Sequence, residues 1–238
     1  MSQKTRVTIL ENHQGIIDGY MFRLGNLSDI EIVATATYGE ELEPLLVQTP
    51  TDVLLLDVHV PTSPNNQNPY PILHLIPKLL DNYPEMTILV ISMHNQRKLI
   101  EAVMASGASG YIIKDDRSAI RDLASVIRSV AEGGIYMSQY AYQQITKGQS
   151  RPVSKDQTLS RRQVEVLSLC AAYPDAGTAE LAKKLSVANS TIRNILSQVY
   201  LKLDVRSRAA AVAKARQLGW FPAEVQAVVI PGYTGEEN

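Results

Sequence analysis

Short apolar runs alternate with helical patterns through the first half of this 238-residue chain. The runs lie at residues 7–10, 30–34, 53–56, 88–91 and 111–113, and each is followed by apolar residues at helical spacing. The run at residues 53–56 is continuously apolar, which is typical of a strand covered on both faces. Five strand–helix units predict an α/β fold with a doubly wound, five-stranded parallel sheet.

Polar residues follow four of these predicted strands. Glu11 and Asn12 follow the first, Asp57 the third, Ser92 the fourth and Lys114 the fifth. In a doubly wound sheet, function gathers at the carboxyl ends of the strands. A carboxylate beside a hydroxyl and an ammonium can hold a divalent cation and accept a phosphoryl group. An aspartate after a strand is also a common turn or helix cap, and this alternative stays open.

The first half resembles a response-regulator receiver domain over residues 5–132. The matching stretches are Val53-Leu-Leu-Leu-Asp-Val-His-Val-Pro61, Leu89-Val-Ile-Ser92 and Gly107-Ala-Ser-Gly-Tyr-Ile-Ile-Lys114. The resemblance implies a flavodoxin-like fold, a sensor histidine kinase as partner and Asp57 as the phosphate acceptor. It also implies Ser92 as switch hydroxyl, Tyr111 as switch aromatic residue, Lys114 as pocket lysine, and Mg²⁺ as cofactor at Glu11, Asn12 and Asp57.

Two departures from the receiver pattern concern this pocket. Receivers carry two acidic residues after the first strand, whereas this chain has Glu11 and Asn12. An amide oxygen is a weaker ligand for a hard cation than a carboxylate. The loop at residues 61–71 is also about six residues longer than in the family. We therefore expect weak Mg²⁺ binding and poor phosphorylation of Asp57, with the loop covering or reshaping the pocket.

A helix-turn-helix pattern occupies residues 159–220. Ser160 and Gln163 fit a capping box at its first helix. In a later helix, one face is apolar: Ile192, Ile195, Leu196, Val199 and Leu203. The opposite face carries Ser190, Arg193, Asn194 and Ser197. A helix that enters the major groove needs this division, although an ordinary amphipathic helix shows it too.

This segment resembles the LuxR-type helix-turn-helix of NarL/FixJ response regulators. The resemblance is carried by Arg162-x-x-Glu-Val-Leu167, Thr191-Ile-Arg193 and Val199-Tyr-Leu-Lys-Leu-Asp-Val-Arg-Ser-Arg208. It implies base contacts from Arg193, Asn194 and Ser197. It implies phosphate contacts from Thr191, Lys202, Arg206 and Ser207. The alanine-rich helix at residues 209–218 would form the surface of a homodimer on double-stranded DNA.

Charge and composition agree with two unlike domains. Residues 1–133 hold 10 Lys/Arg and 16 Asp/Glu, whereas residues 147–216 hold 13 Lys/Arg and 5 Asp/Glu. A basic segment suits a polyanion. No secretory signal or membrane-spanning run is recognisable, and the single Cys170 excludes a disulfide framework, so we expect a cytoplasmic protein without a membrane partner.

These patterns predict four segments. They are a receiver domain (1–133), a linker with a short helix (134–154), a LuxR-type helix-turn-helix domain (155–220) and a C-terminal tail (221–238). We expect a non-enzymatic, DNA-binding transcription regulator of a two-component phosphorelay. One alternative is a receiver that regulates DNA binding without phosphorylation, through dimerisation or a partner. A nucleotide- or flavin-dependent enzyme has less support, because the turn at residues 11–15 has one glycine and no phosphate-binding pattern.

Overall fold

The computed structural model describes residues 4–146, 159–205 and 207–220. It comprises a parallel sheet with helices on both faces, followed by four further helices. The strands are β1 (Thr5–Leu10), β2 (Ile30–Ala36), β3 (Val53–Leu56), β4 (Pro61–Ser63), β5 (Asn66–Pro69), β6 (Thr87–Ser92), β7 (Gly110–Ile113) and β8 (Tyr136–Met137). The predicted doubly wound parallel architecture and the helical second half are confirmed.

Within the described ranges, seven helices accompany the sheet and four form the second half. The first seven are α1 (Gln14–Leu24), α2 (Gly39–Gln48), α3 (Ile72–Asn82), α4 (Arg97–Ala105), α5 (Arg117–Arg121), α6 (Leu123–Ala131) and α7 (Gln139–Thr146). The last four are α8 (Arg161–Ala172), α9 (Thr178–Lys184), α10 (Asn189–Leu203) and α11 (Arg208–Gln217). No helix among the described residues is long and apolar enough to cross a bilayer.

The central strands are buried on both faces because alternate side chains enter two different cores. Val53 and Leu55 of β3 pack with α1, α5 and α6, whereas Leu54 and Leu56 pack with α2, α3 and α4. The second of these cores continues without a break into the helices of the second half. The two halves therefore pack against each other as well as being joined by the chain.

The sheet has six strands rather than the predicted five, in the order β2-β1-β3-β6-β7-β8. The sixth, β8, pairs in parallel with β7. Ser138, which follows β8, accepts a hydrogen bond from the Ile113 backbone N–H at 3.2 Å. A two-residue strand has no hydrophobic period, so only its position beside the sheet edge defines it. The predicted short helix of this segment is present as α7.

The segment predicted as an open loop at residues 61–71 contains an antiparallel hairpin, β4–β5. The hairpin packs on α2, and the Tyr70 ring that follows it lies over Gly39. A Cβ atom at Gly39 would lie 2.0 Å from the Tyr70 Cγ, so a glycine is needed there. The polar strands of this hairpin lack apolar alternation, which is why the sequence pattern did not reveal them.

Local capping in the second half is partly as the sequence predicts. Ser160 and Gln163 form the capping box of α8, and Ser207 caps α11 by accepting from the Ala210 N–H at 3.2 Å. Thr178 and Asn189, whose side chains could also cap a helix, are instead the first residues of α9 and α10. Both side chains make longer-range contacts instead.

Candidate functional site

Glu11 and Asp57 meet because β1 and β3 are paired in register. Leu10 is the register partner of Leu56, so the residues that follow them are neighbours at the carboxyl edge of the sheet. The Asp57 backbone N–H donates to the Leu10 carbonyl at 3.0 Å. Both carboxylates are nearly buried, with 2% of Glu11 and 5% of Asp57 exposed. Two buried negative charges this close require a cation.

Lys114 supplies that cation in this structure. Its Nζ lies 2.6 Å from Glu11 Oε2 and 2.7 Å from Asp57 Oδ2. Its side chain is 7% exposed, so water screens this arrangement little. The ammonium therefore bridges the two acidic side chains and neutralises one of their two charges.

Tyr20 lines the cavity beside the two carboxylates, and Asn12 follows Glu11 in the chain. The Asn12 Oδ1 is buried and has no hydrogen-bond partner among the described residues. Burial, together with the negative charges of Glu11 and Asp57, raises the pKa of Tyr20. Two carboxylates and an unsatisfied amide oxygen suit a divalent cation in kind, but they provide less negative charge than three carboxylates.

Ser92 and Tyr111 belong to the neighbouring strands β6 and β7, and both are fully buried. The Tyr111 hydroxyl donates to the His94 carbonyl at 2.7 Å, and the Ser92 Oγ accepts from the His94 N–H at 3.3 Å. Burial raises the pKa of Tyr111 to about 12. Both side chains thus hold the segment that leads from β6 into α4.

The hairpin does not line the cavity beside Asp57. That cavity is bounded by residues of β1, β3 and β6, by Tyr20 of α1 and by the two carboxylates. The hairpin instead packs on α2 because Tyr70 anchors it over Gly39. That the longer loop covers or reshapes the pocket opening stays a prediction.

Three histidines lie close to the polar strand ends of the first half, although they are far apart in the sequence. His13 Nδ1 lies 3.0 Å from Glu11 Oε1. The His59 and His94 rings are 5.4 Å apart between centroids. Each histidine follows a polar strand end by two residues, which is the signal that the sequence offered.

The apolar stripe of α10 is confirmed as a core surface. Ile192, Leu196, Val199 and Leu203 are fully buried against the other helices of the second half. The preceding turn contains Ser186 with a positive φ of 52°, after which the chain enters α10. Helices α9 and α10 therefore form a helix-turn-helix, with α10 in the position of a recognition helix.

The polar side of α10 contacts the first half of the chain. Asn189 Nδ2 donates to the Pro84 carbonyl, and Arg193 Nη2 approaches the same oxygen at 3.5 Å. Asn194 Nδ2 donates to the Ala105 carbonyl, at the end of α4, at 3.3 Å. Two of the three residues predicted to read bases, Arg193 and Asn194, therefore contact carbonyls of the first half, which sequence reasoning did not identify.

Arg193 is a charged side chain with few partners. It is 2% exposed, its Nε donates to Thr178 Oγ1 at 3.4 Å, and its Nη1 has no hydrogen-bond partner among the described residues. Burial lowers its pKa to about 10, and the negative charge of Glu85 partly opposes this shift. Burying a guanidinium with so little compensation costs free energy, which opening of the interface would recover.

The other predicted DNA contacts lie in different environments. Ser197 is buried, Ser190 faces Gly107 of the first half, and Thr191 is exposed. Lys202 is exposed and donates to Gln163 Oε1 at 3.0 Å. Ser207 caps α11, whereas Arg206 lies outside the described residues.

Helix α11 presents two different faces. Ala211 and Ala215 are fully buried in the second half, whereas Ala209 and Ala213 are exposed. The exposed face lines a cleft of about 660 Å³ whose opposite wall includes Ser129 and Glu132. The first half of the chain therefore lies opposite the surface predicted to dimerise.

Comparison with known families follows the same division of the chain. Residues 7–126 match the response regulator receiver domain family, and residues 157–215 match the family described as bacterial regulatory proteins, luxR family. RcsB of Salmonella typhimurium shares the fold, with a TM-score of 0.54 and 22% identity over 89% of this chain and 97% of RcsB.

Two full-length relatives show the same arrangement. The transcriptional regulatory protein DegU of Brevibacillus brevis is 26% identical over 91% of this chain and 95% of its own length. The oxygen regulatory protein NreC of Staphylococcus epidermidis is 27% identical over 88% of this chain and 96% of its own length. The chain therefore belongs to the response regulators of the NarL/FixJ type, in which a receiver domain is joined to a luxR-family DNA-binding domain.

Proposed function

We propose that this response regulator is a cytoplasmic, non-enzymatic transcription factor that binds an inverted-repeat DNA site as a homodimer. The observation that carries the proposal is the contact of Asn189, Arg193 and Asn194 with backbone carbonyls of the receiver half. Polar side chains suited to base edges are used here to hold the molecule closed. The structure is thus a resting state, and regulation consists of releasing α10.

Two further features favour this proposal. The exposed face of α11 lies across the cleft from the receiver half, so closure also obstructs the predicted dimer surface. Structures of RcsB include one bound to a promoter with beryllofluoride and one with two dimers on two parallel DNAs. The proposed contacts follow the sequence prediction: Arg193, Asn194 and Ser197 face bases, and Thr191, Lys202, Arg206 and Ser207 face phosphates. We also propose the four predicted units 1–133, 134–154, 155–220 and 221–238.

Phosphorylation of Asp57 by a sensor histidine kinase would be the releasing signal. Mg²⁺ held by Glu11, Asn12 and Asp57 would offset charge on the phosphoryl group, and Lys114 and Ser92 would bind its oxygens. Two carboxylates and an amide hold Mg²⁺ weakly, and Lys114 already occupies both carboxylates. We therefore expect slow or partial phosphorylation.

Regulation without phosphorylation is the second candidate, and the Lys114 bridge favours it. An ammonium between Glu11 and Asp57 organises the pocket without a metal ion. Treatment with Mg²⁺ and a small-molecule phosphodonor, followed by mass spectrometry, separates the two candidates. Stoichiometric phosphate on Asp57 with tighter DNA binding supports the first, and an unmodified protein that still binds its site supports the second.

Glu85→Lys tests closure itself without changing the DNA-binding half. Glu85 is exposed on the receiver and favours the charged form of Arg193, so a lysine there would repel that guanidinium. We expect the full-length variant to bind a selected DNA site at least about threefold more tightly. Electrophoretic mobility shifts with specific and random DNA would measure the change.

Glu31→Lys on β2 is the matched control, because it makes the same charge change at an exposed position. It corrects for non-specific attraction of DNA to a more basic protein. Equal affinities of the two variants for the selected site would contradict the closed resting state.

A further inference from the structure

We infer that Gln163 and Gln198 hold the Asn194 side chain so that it presents its amino group, and not its carbonyl oxygen, to DNA. Asn194 then acts as a hydrogen-bond donor and prefers guanine to adenine. Gln163 and Gln198 are positioning residues, because they act on the base through Asn194. The inference rests on the proposed function, in which α10 enters the major groove.

A chain of side-chain hydrogen bonds connects α8 to the polar side of α10. Lys202 Nζ donates to Gln163 Oε1 at 3.0 Å, and Gln163 Nε2 donates to Gln198 Oε1 at 3.2 Å. Gln198 Nε2 then donates to Asn194 Oδ1 at 3.1 Å. Asn194, Gln198 and Lys202 are spaced four residues apart and therefore share one side of α10. Every bond in this hydrogen-bond chain points the same way, from Lys202 toward Asn194.

Two donors at the start of the hydrogen-bond chain fix its direction. An ammonium only donates, so Gln163 must turn its oxygen toward Lys202. The Ser160 backbone N–H donates to the same Oε1 at 3.0 Å as part of the capping box, so the direction does not depend on Lys202 alone. Gln163 is 4% exposed, which leaves water little access to its amide. Its Nε2 therefore faces Gln198, and each later amide follows the same orientation.

Asn194 is the last amide of the hydrogen-bond chain. Its Oδ1 is engaged by Gln198, and its Nδ2 donates to the Ala105 carbonyl at 3.3 Å. Release of α10 would free this amino group and leave the oxygen engaged. Guanine offers two acceptors in the major groove, N7 and O6, whereas adenine offers one acceptor and the N6 amino donor. An asparagine reads adenine with both its oxygen and its amino group, so engagement of Oδ1 favours guanine.

Gln163→Glu should reverse the hydrogen-bond chain from a buried position on α8. A carboxylate still accepts from Lys202 and Ser160 but cannot donate, so Gln198 must turn its amino group toward the new carboxylate. Gln198 Oε1 would then accept from Asn194, whose own Oδ1 would face outward and favour the amino group of adenine. A glutamate at this position also completes a capping box, so we expect α8 to fold.

Mobility shifts of the full-length protein on DNA sites that differ at one base pair test the inference. Asn194→Ala first identifies the base pair, as the one at which discrimination is lost. There we expect the wild type to prefer guanine to adenine at least about fivefold, and Gln163→Glu to prefer adenine. The ratio of the two affinities cancels any general effect of the added charge on DNA binding. Gln198→Leu, which removes the donor to Oδ1 without adding charge, should also lower the preference for guanine.

Gln217→Glu, at the exposed end of α11, makes the same chemical change in the same half of the protein and should keep the wild-type preference. A preference that Asn194→Ala abolishes but that Gln163→Glu and Gln198→Leu leave unchanged would overturn the inference and leave the proposed function intact. A wild-type preference for adenine at that base pair would overturn it as well. If Asn194→Ala changed discrimination at no base pair, the proposed function would fail in this base contact, and the inference would fail with it.

Discussion

Asn12 is the single residue that most limits the negative charge of the receiver pocket. Its amide oxygen is buried and has no hydrogen-bond partner within the part of the chain that the structure describes. A carboxylate at this position would add the missing charge without adding bulk. This additional carboxylate would need a positively charged partner in the protein without a bound metal ion.

Asn12→Asp should therefore raise Mg²⁺ affinity by roughly tenfold, because hard cations bind charged oxygens more strongly than amides. Mg²⁺ titration followed by beryllofluoride addition would measure it. The same change at Asn26, exposed after α1 at the opposite edge of the sheet, should have no effect. Unchanged Mg²⁺ affinity in Asn12→Asp would show that Lys114, rather than the missing charge, limits binding.

Arg193 and Lys202 differ in the kind of DNA contact that each is predicted to make. Arg193→Ala should cost on the order of 1–3 kcal/mol at one base pair and relax the preference there. Lys202→Ala should weaken binding to all sequences alike and reduce the salt slope by about one. Closure lowers the affinity for every DNA sequence by the same factor. The ratio of affinities for two DNA sequences, measured by mobility shift on the full chain, therefore depends only on the contacts of α10 with bases. A preference that is unchanged in Arg193→Ala would place base reading elsewhere.

At the scale of elements, α10 and α11 each serve two surfaces. The apolar side of α10 forms the core of the DNA-binding domain while its polar side meets the receiver. The small residues of α11 are likewise divided between a buried row and an exposed row. Only the exposed row is available for pairing with a second protomer.

Ala213→Asp should prevent two-site DNA binding while the monomer stays folded, because it adds a charge to the exposed row of α11. Val212 is a poorer probe, since it is half-buried and packs on the core. Ala210→Asp adds the same charge to the same helix at a residue that does not line the cleft, and it should retain the full footprint. A footprint of unchanged length in Ala213→Asp would argue against dimerisation through this helix.

At the scale of the whole molecule, closure combines a continuous apolar core with a few polar contacts between the two halves. Helix α7 packs on α4 and β7 of the receiver and reaches the end of α10 through Tyr142. The Tyr142 hydroxyl donates to Asp204 Oδ1 at 2.5 Å. Asp204 has a positive φ of 52° and ends α10. The linker thus fixes the recognition helix at the end opposite to Asn189.

Tyr142→Phe should loosen closure with little effect on either domain. A solvent-exposed hydrogen bond contributes about 0.5–1 kcal/mol, so DNA affinity should rise roughly two- to fivefold. Tyr140→Phe, on the same helix, is the control and should behave as the wild type. Small-angle scattering should show a larger radius of gyration for Tyr142→Phe alone, and identical profiles of both variants would contradict a role for this contact.

The sequence by itself determined the elements that local periodicity encodes. The continuous apolar run of β3 and the stripe of α10 predicted their burial, because one-dimensional spacing decides which side chains share a face. The sequence also predicted that four residues lie close together at the carboxyl edge of the sheet, because each follows a parallel strand: Glu11, Asp57, Ser92 and Lys114. Motif resemblance added the order of the two domains.

Tertiary structure alone decided what no local pattern encodes. The strand β8 and the hairpin exist because a sheet edge and the Gly39–Tyr70 contact support them. The Lys114 bridge and the His13–Glu11 contact depend on side-chain directions across different elements. Arg193 contacts the Pro84 carbonyl, which lies 109 positions away in the sequence. Its two partners are a backbone oxygen and a threonine hydroxyl, and neither can be recognised as a partner from the sequence. The sequence pattern of a polar helix face is the same whether that face contacts water, DNA or a backbone carbonyl. Only the tertiary structure therefore shows which of these the polar face of α10 contacts.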